Sequence, residues 1–136
     1  MGRIICIDYG VKRTGLAVTD SLQIIASALA TIETPKLMAF LQDYTSKEQV
    51  SLFLVGYPLN LDDSFTHATQ AVENFIKKLA KQFPNIPIQK ADERFTSKLA
   101  VQAMVQMGMK KKERQKKENI DQIAATIMLQ EYLQNK

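Results

Sequence analysis

The sequence predicts an α/β protein built on a mixed five-stranded sheet in the spatial order 3-2-1-4-5, with helices on both faces. Three observations lead there. Two four-residue runs, Ile4-Ile5-Cys6-Ile7 and Leu52-Phe53-Leu54-Val55, are wholly apolar, as expected of central strands buried on both faces. Residues 15–19 and 24–30 follow the first run after short turn signals, so the first three strands form an antiparallel meander. Beyond Pro35, helical and strand-like spacing alternate, the mark of β-α-β units. The two apolar strands become central neighbours. The strand at residues 86–91 goes to an edge, because Pro87 cannot donate to a ladder.

Each element has its own justification. Asp8-Tyr9-Gly10 ends the first strand, and Lys12-Arg13-Thr14 turns the chain. In the second strand Leu16 and Val18 alternate with small or polar neighbours, and Asp20-Ser21 marks the next turn. Leu37, Phe40, Leu41 and Tyr44 recur at helical spacing after Pro35, a residue suited to a helix start. Gly56-Tyr57-Pro58 closes the fourth strand. Val72, Phe75, Ile76, Leu79 and Phe83 define one face of a long helix from residue 68, which Pro84 stops. Thr96 or Ser97 can cap a further helix running to Met107, where Gly108 supplies the stop. A last helix is expected over residues 119–133, with Asp121 in its first turn. Its stripe Asp121, Ala125, Met128, Tyr132 turns inward, and the small pair Ala124-Ala125 lets it approach the sheet closely.

Composition narrows the function classes. With 136 residues, 46% of them hydrophobic and 24% charged, residues 1–136 have room for one core and one domain. The one cysteine, Cys6, excludes a disulfide framework and multi-cysteine zinc sites, and the one histidine, His67, excludes His-pair metal motifs. The apolar run near the N-terminus is too short for a signal peptide or a membrane span, so a cytoplasmic, reducing setting is expected, without membrane association. The net charge of +4 is concentrated. Lys110, Lys111, Lys112, Arg114, Lys116 and Lys117 surround a single acid, Glu113, leaving 12 basic and 13 acidic residues elsewhere. Such a block suits a polyanion such as nucleic acid; its alternative reading is a solvated loop.

Three carboxylates sit where a site would form. Asp8 ends a buried strand, and ligand sites of open sheets collect at such ends. Glu93 follows the last strand in Asp92-Glu93-Arg94-Phe95-Thr96, and Asp121 lies on the inward stripe of the last helix. Each has a plainer reading: a turn former, a loop charge, a residue favoured by the helix dipole. The expected strand order lets all three meet at one edge of the central strands. Clustered carboxylates repel, so such a group is stable mainly around a cation. Oxygen ligands without Cys or His suit Mg²⁺ or Mn²⁺, and two such ions about 3.5–4 Å apart can drive phosphodiester hydrolysis.

Taken together, Ile7-Asp8-Tyr9-Gly10-Val11-Lys12-Arg13-Thr14-Gly15, Val55-Gly56-Tyr57-Pro58-Leu59-Asn60, Asp92-Glu93-Arg94-Phe95-Thr96-Ser97 and Ile120-Asp121-Gln122-Ile123-Ala124-Ala125 resemble the YqgF (RuvX) family. The resemblance runs from residue 4 to about 133. It implies an RNase H-like fold and Asp8, Glu93 and Asp121 as metal-binding catalytic acids. It also implies a nuclease that matures the 5′ end of the 16S ribosomal RNA precursor. By analogy with the RuvC resolvases, the family also carries the label Holliday junction resolvase, which would place the same chemistry on branched DNA. Two departures stand out. RuvC-type enzymes carry a fourth acid three residues beyond the third, where this chain has Ala124, although Glu118 precedes Asp121 by three. Asp62-Asp63-Ser64 also follows the Pro-Leu-Asn turn where the family often has a glycine.

Substrate charge suggests the supporting residues. Lys12 and Arg13 follow Asp8, and Arg94 follows Glu93, so each can hold a phosphate; surface solubility is the plainer role. Lys110 to Lys117 would grip backbone away from the scissile bond. Tyr57 can stack on a base or simply pack. A non-catalytic RNA-binding module of ribosome assembly is the competing class. Oligomeric state, RNA against DNA and the number of metal ions stay open.

Overall fold

In a computed structural model, residues 2–58, 67–92 and 117–135 are described; for Asp92 and residues 117–121 the description extends to the backbone. The order of elements is β1 (Arg3–Asp8), β2 (Arg13–Thr19), β3 (Ala26–Glu33), a 3-10 turn (Thr34–Lys36), α1 (Leu37–Lys47), β4 (Val50–Tyr57), α2 (His67–Gln82), β5 (Ile88–Asp92) and α3 (Lys117–Gln134). The strands form one sheet in the order β3-β2-β1-β4-β5. The meander is antiparallel, and β1–β4 and β4–β5 pair in parallel. Topology and the edge position of the last strand agree with the expectation, but Pro87 lies just before that strand, which starts at Ile88, rather than inside it.

Both sheet faces carry a core. Ile5, Ile7, Leu16, Val18, Phe53 and Val55 pack under α1 and α2 through Leu37, Leu41, Val72, Phe75 and Leu79. Ile4, Cys6, Ala17 and Leu54 face Ala125, Met128 and Leu129 of α3. Cys6 is fully buried in this second layer. Ile4 to Ile7 are no more than 1% exposed, which is why β1 reads as an unbroken apolar run. Pro35 sits in the first turn of the 3-10 segment that leads into α1. α2 ends one residue before Phe83-Pro84, as its proline requires.

Several boundaries differ from the sequence reading; the fourth strand is longer, Val50–Tyr57, and the fifth runs over Ile88–Asp92 rather than residues 86–91. The third strand runs over Ala26–Glu33, not residues 24–30, because Asp20 organises Ile24 and Ile25 into the preceding turn: its Oδ1 accepts both backbone N–H groups at 2.8 Å. β2 starts two residues early, at Arg13. The last helix starts at Lys117, which moves Asp121 from the first turn into the second. The helix expected between residues 96 and 107 lies outside the described residues.

α3 crosses β2 and β3 and reaches β1. Ala124 and Ala125 are buried at this contact, with Ala125 fully so. Their small side chains let the helix lie close, and larger ones would force it off the sheet. Ala125→Leu is expected to cost about 1–3 kcal/mol by overpacking, read as a lowered urea midpoint with unchanged slope.

Candidate active site

The site is built outward from β1. Alternation along the strand sends Ile5 and Ile7 to the α1/α2 face and Ile4 and Cys6 to the α3 face, so Asp8, next in the second series, belongs to the α3 face. Its antiparallel partner is Gly15. On the other side Ile7 pairs with Val55, which sets Gly56 level with Asp8. Gly15 shares the face of Ala17, and Gly56 that of Leu54. The half-buried carboxylate therefore stands between two residues without side chains. These glycines, quoted in the sequence motifs but given no role there, are what leaves room beside it.

The turn after Asp8 is pinned on both sides. Tyr9 stacks on Phe75 of α2 at 4.5 Å between ring centroids. Thr34 Oγ1 donates to the Gly10 carbonyl at 2.5 Å, lies 3.0 Å from Thr14 Oγ1, and the Thr34 N–H donates to the Lys12 carbonyl. A Cβ on Gly10 would sit 2.2 Å from the Arg13 carbonyl oxygen, so this position admits only glycine. Lys12 is exposed at the turn. Arg13 is half-buried, and its alternation with Gly15 and Ala17 puts it on the α3 face, at the same end as Asp8. Beside the turn, on the α1/α2 side, Tyr9, Val11, Met38, Phe75 and Lys78 line a cleft of about 290 Å³.

The other two candidate acids belong to other segments of the chain. Asp92 is the last residue of β5 and is in register with Tyr57; Glu93 and Arg94 follow it and lie outside the described residues. α3 runs with its C-terminal half, Gln130, Leu133 and Gln134, beside Ile24–Ala26. That is the starting end of β1, where the Ile4 N–H donates to Thr19 Oγ1. Its N-terminal turns thus point toward the Asp8 end. The Asp121 backbone lies one helical turn before Ala125 on the sheet-facing stripe, about 6 Å along the axis. Among the described residues no three His, Cys, Asp or Glu side chains form a group able to hold a metal ion, and that description does not include the Glu93 and Asp121 side chains. Lys110, Lys111, Lys112, Arg114 and Lys116 also lie outside it, and Lys117 is described as the first residue of α3.

Tyr57 packs. It belongs to the α1/α2 layer, opposite Asp8. Its hydroxyl donates to Glu73 Oε1 at 2.6 Å, Lys90 Nζ donates to the same oxygen at 2.8 Å, and Lys90 lies 4.4 Å above the ring. Thr69 Oγ1, also on α2, donates to the Pro58 carbonyl. Both contacts fix α2 against the end of β4.

A comparison with known proteins decides the family. The profile described as "RuvX: Holliday junction resolvase" matches residues 2–135. The chain belongs to the RuvX family. A relative from Christiangramia forsetii is 50% identical over 98% of both chains, and one from Flavobacterium psychrophilum is 50% identical over 100% of this chain and 99% of its own. Both bear the name "Putative pre-16S rRNA nuclease". Among solved structures, Thermus thermophilus RuvC in complex with a Holliday junction substrate aligns with a TM-score of 0.61 at 13% identity, over 99% of this RuvX chain and 96% of RuvC. That likeness, with the sheet order, gives the RNase H-like fold.

The Glu73 carboxylate accepting from Tyr57 pushes the phenol up to about 12 from 10.0, while Lys90 and then Tyr57 hold Glu73 below the ordinary carboxylate range. A raised folded pKa means that the Tyr57 contribution is complete below pH 10 and is lost as pH rises through about 12. Glu73→Gln is expected to bring that phenol back toward its ordinary value, read from phenolate absorbance as the difference between variants with and without Tyr57→Phe.

Proposed function

We propose that this RuvX protein is one RNase H-like domain over residues 1–136, a cytoplasmic, divalent-metal-dependent nuclease that processes the 5′ end of pre-16S rRNA. The observation that carries the reading is Asp8. It stands at the end of the central strand, on the face covered by α3, between two glycines. The orientation of α3 and the inward stripe of Asp121 support that acid as its partner. In β5, Gln89 and Ala91 belong to the α3 side; Glu93, which follows this strand in the sequence, is the third acid on the family resemblance. Family and relatives' names support nuclease chemistry.

The residues fit the metal. Asp8, Glu93 and Asp121 offer hard oxygen donors, and Asp8 stands between two glycines in the ladder, so these acids would hold Mg²⁺ or Mn²⁺. When bound, the metal supplies an activated water and charge stabilisation at the phosphate. The chain's own residues position the substrate: Arg13, on the Asp8 face, and Arg94 bind phosphate near the cut, Lys12 binds it at the turn, and Lys110, Lys111, Lys112, Arg114, Lys116 and Lys117 neutralise backbone farther away.

The family description favours a second reading, cleavage of branched DNA. Mn²⁺-dependent cleavage of a pre-16S leader in preference to a four-way junction is expected; the reverse preference selects the resolvase. Asp8→Asn is expected to lower cleavage by more than about a hundredfold with the fold intact, beyond the loss typical of an outer-shell partner. Cleavage unchanged in that variant overturns the site. Replacing Lys110, Lys111 and Lys112 by Gln is expected to weaken polynucleotide binding and flatten its logarithmic salt dependence by about 0.7–0.9 per lost phosphate contact.

A further inference from the structure

At the pole opposite Asp8, the β2–β3 turn presents three large apolar side chains to solvent: Leu22, Ile24 and Ile25 are 62%, 65% and 63% exposed. This is an ordered display. Asp20 Oδ1 accepts the Ile24 and Ile25 N–H groups, and the Gln23 N–H donates to the Asp20 carbonyl at 3.0 Å. Gln23 adopts the left-handed region at φ 59°, and its side-chain amide donates to the Gly2 carbonyl and to Ser51 Oγ at 2.8 and 3.0 Å. The turn is thereby bolted across the starting ends of β1 and β4. A fold that spends this many polar contacts on holding a turn, and then exposes Leu, Ile and Ile from it, has prepared a binding surface at little further cost in ordering.

We propose that this tip is a self-association surface on which two copies of the chain meet about a two-fold axis. Three features select a second copy. First, both halves of the contact exist on one chain: beside the protruding Leu22, Ile24 and Ile25 together with Ala26, Gln130, Leu133 and Gln134 line a groove of about 440 Å³. A knob next to its own hole is what an isologous contact requires. Second, the twelve residues from Ser21 to Ile32 carry no charge, so a two-fold apposition brings no like charges together, while a strongly charged partner finds no counterpart there. Third, in their own residues the opposite edge strand carries charge and this one does not before its last residue. β5 is five residues long, follows Pro87 and carries Lys90, whereas the eight residues of β3 are uncharged as far as Glu33.

The contact is small. The patch is three side chains, no larger than the apolar patches of ordinary monomers, which reach about 300–600 Å². A pair built on them falls below the roughly 800 Å² per partner of a stable complex. The dimer is therefore weak and concentration-dependent. It leaves the Asp8 ends of both copies open, because tip and Asp8 lie at opposite ends of β1.

Sedimentation velocity of the full chain between about 10 µM and 1 mM, the range of a weak interface, tests this. The weight-average mass is expected to rise toward twice that of the monomer. Ile24→Lys is expected to weaken association at least tenfold, and Val11→Ser, exposed but remote, to leave it unchanged. Because Ile24 is exposed, the far-ultraviolet circular dichroism of its variant should match the parent. A parent that stays monomeric to the highest concentration overturns the proposal. So does association that Ile24→Lys leaves intact, or a surface that captures another protein while never pairing with itself.

Discussion

β1 is buried on both faces, and that removes its freedom to slip. A shift of one residue would send Ile5 and Ile7 into the α3 layer and Ile4 and Cys6 into the other, exchanging two differently shaped cores at once. The face on which Asp8 stands is set by that penalty and by nothing local to Asp8. The same ladder fixes its neighbours, since the register that pairs Cys6 with Ala17 and with Leu54 leads one step on to Ile7 with Leu16 and Val55, and then to Asp8 with Gly15. An acid positioned by core packing is held more rigidly than one positioned by a loop.

The two faces of the sheet have different duties. The α1/α2 face holds the end of the sheet in place: Tyr9 on Phe75, Thr34 on Gly10, Tyr57 and Lys90 on Glu73 and Thr69 on Pro58 all immobilise the backbone around the C-terminal ends of β1 and β4. On the α3 face, among the described residues, the ladder sets Gly15, Gly56 and Ala91 near Asp8. Anchoring from behind gives this end of the sheet a firm floor.

What the sequence discloses follows from how local each signal is. The apolar runs of β1 and β4 and Pro84 after α2 are strong because each reflects a steric or hydrogen-bonding necessity, and all three read correctly; the last strand is at the edge as expected, but it begins after Pro87, at Ile88. The start of β3 does not read correctly, since Ile24 and Ile25 look like strand residues and are drawn into the turn by Asp20, a contact four and five residues long that composition does not reveal. Tyr57 is ambiguous for a related reason: its partners, Glu73 and Lys90, lie 16 and 33 positions away, on α2 and on a neighbouring strand. Of the candidate site, the face and surroundings of Asp8 become visible only through cross-strand register. Asp121 is legible as a stripe residue, but its turn is misjudged because the helix begins two residues earlier, at Lys117.

The proposed reading also accounts for an uneven charge distribution. Three carboxylates facing a polyanion repel it, and at ionic strengths near 0.15 M that repulsion persists over about 8 Å. Metal ions reverse the sign at the point of cleavage but act little beyond their ligands. The net charge of the chain without residues 110–117 is close to zero, so the general surface gives no attraction of its own. On that reading a dense basic block supplies the attraction, and in the sequence it runs directly into α3, whose second turn carries Asp121 and whose buried Ala124 and Ala125 set the helix close to the sheet.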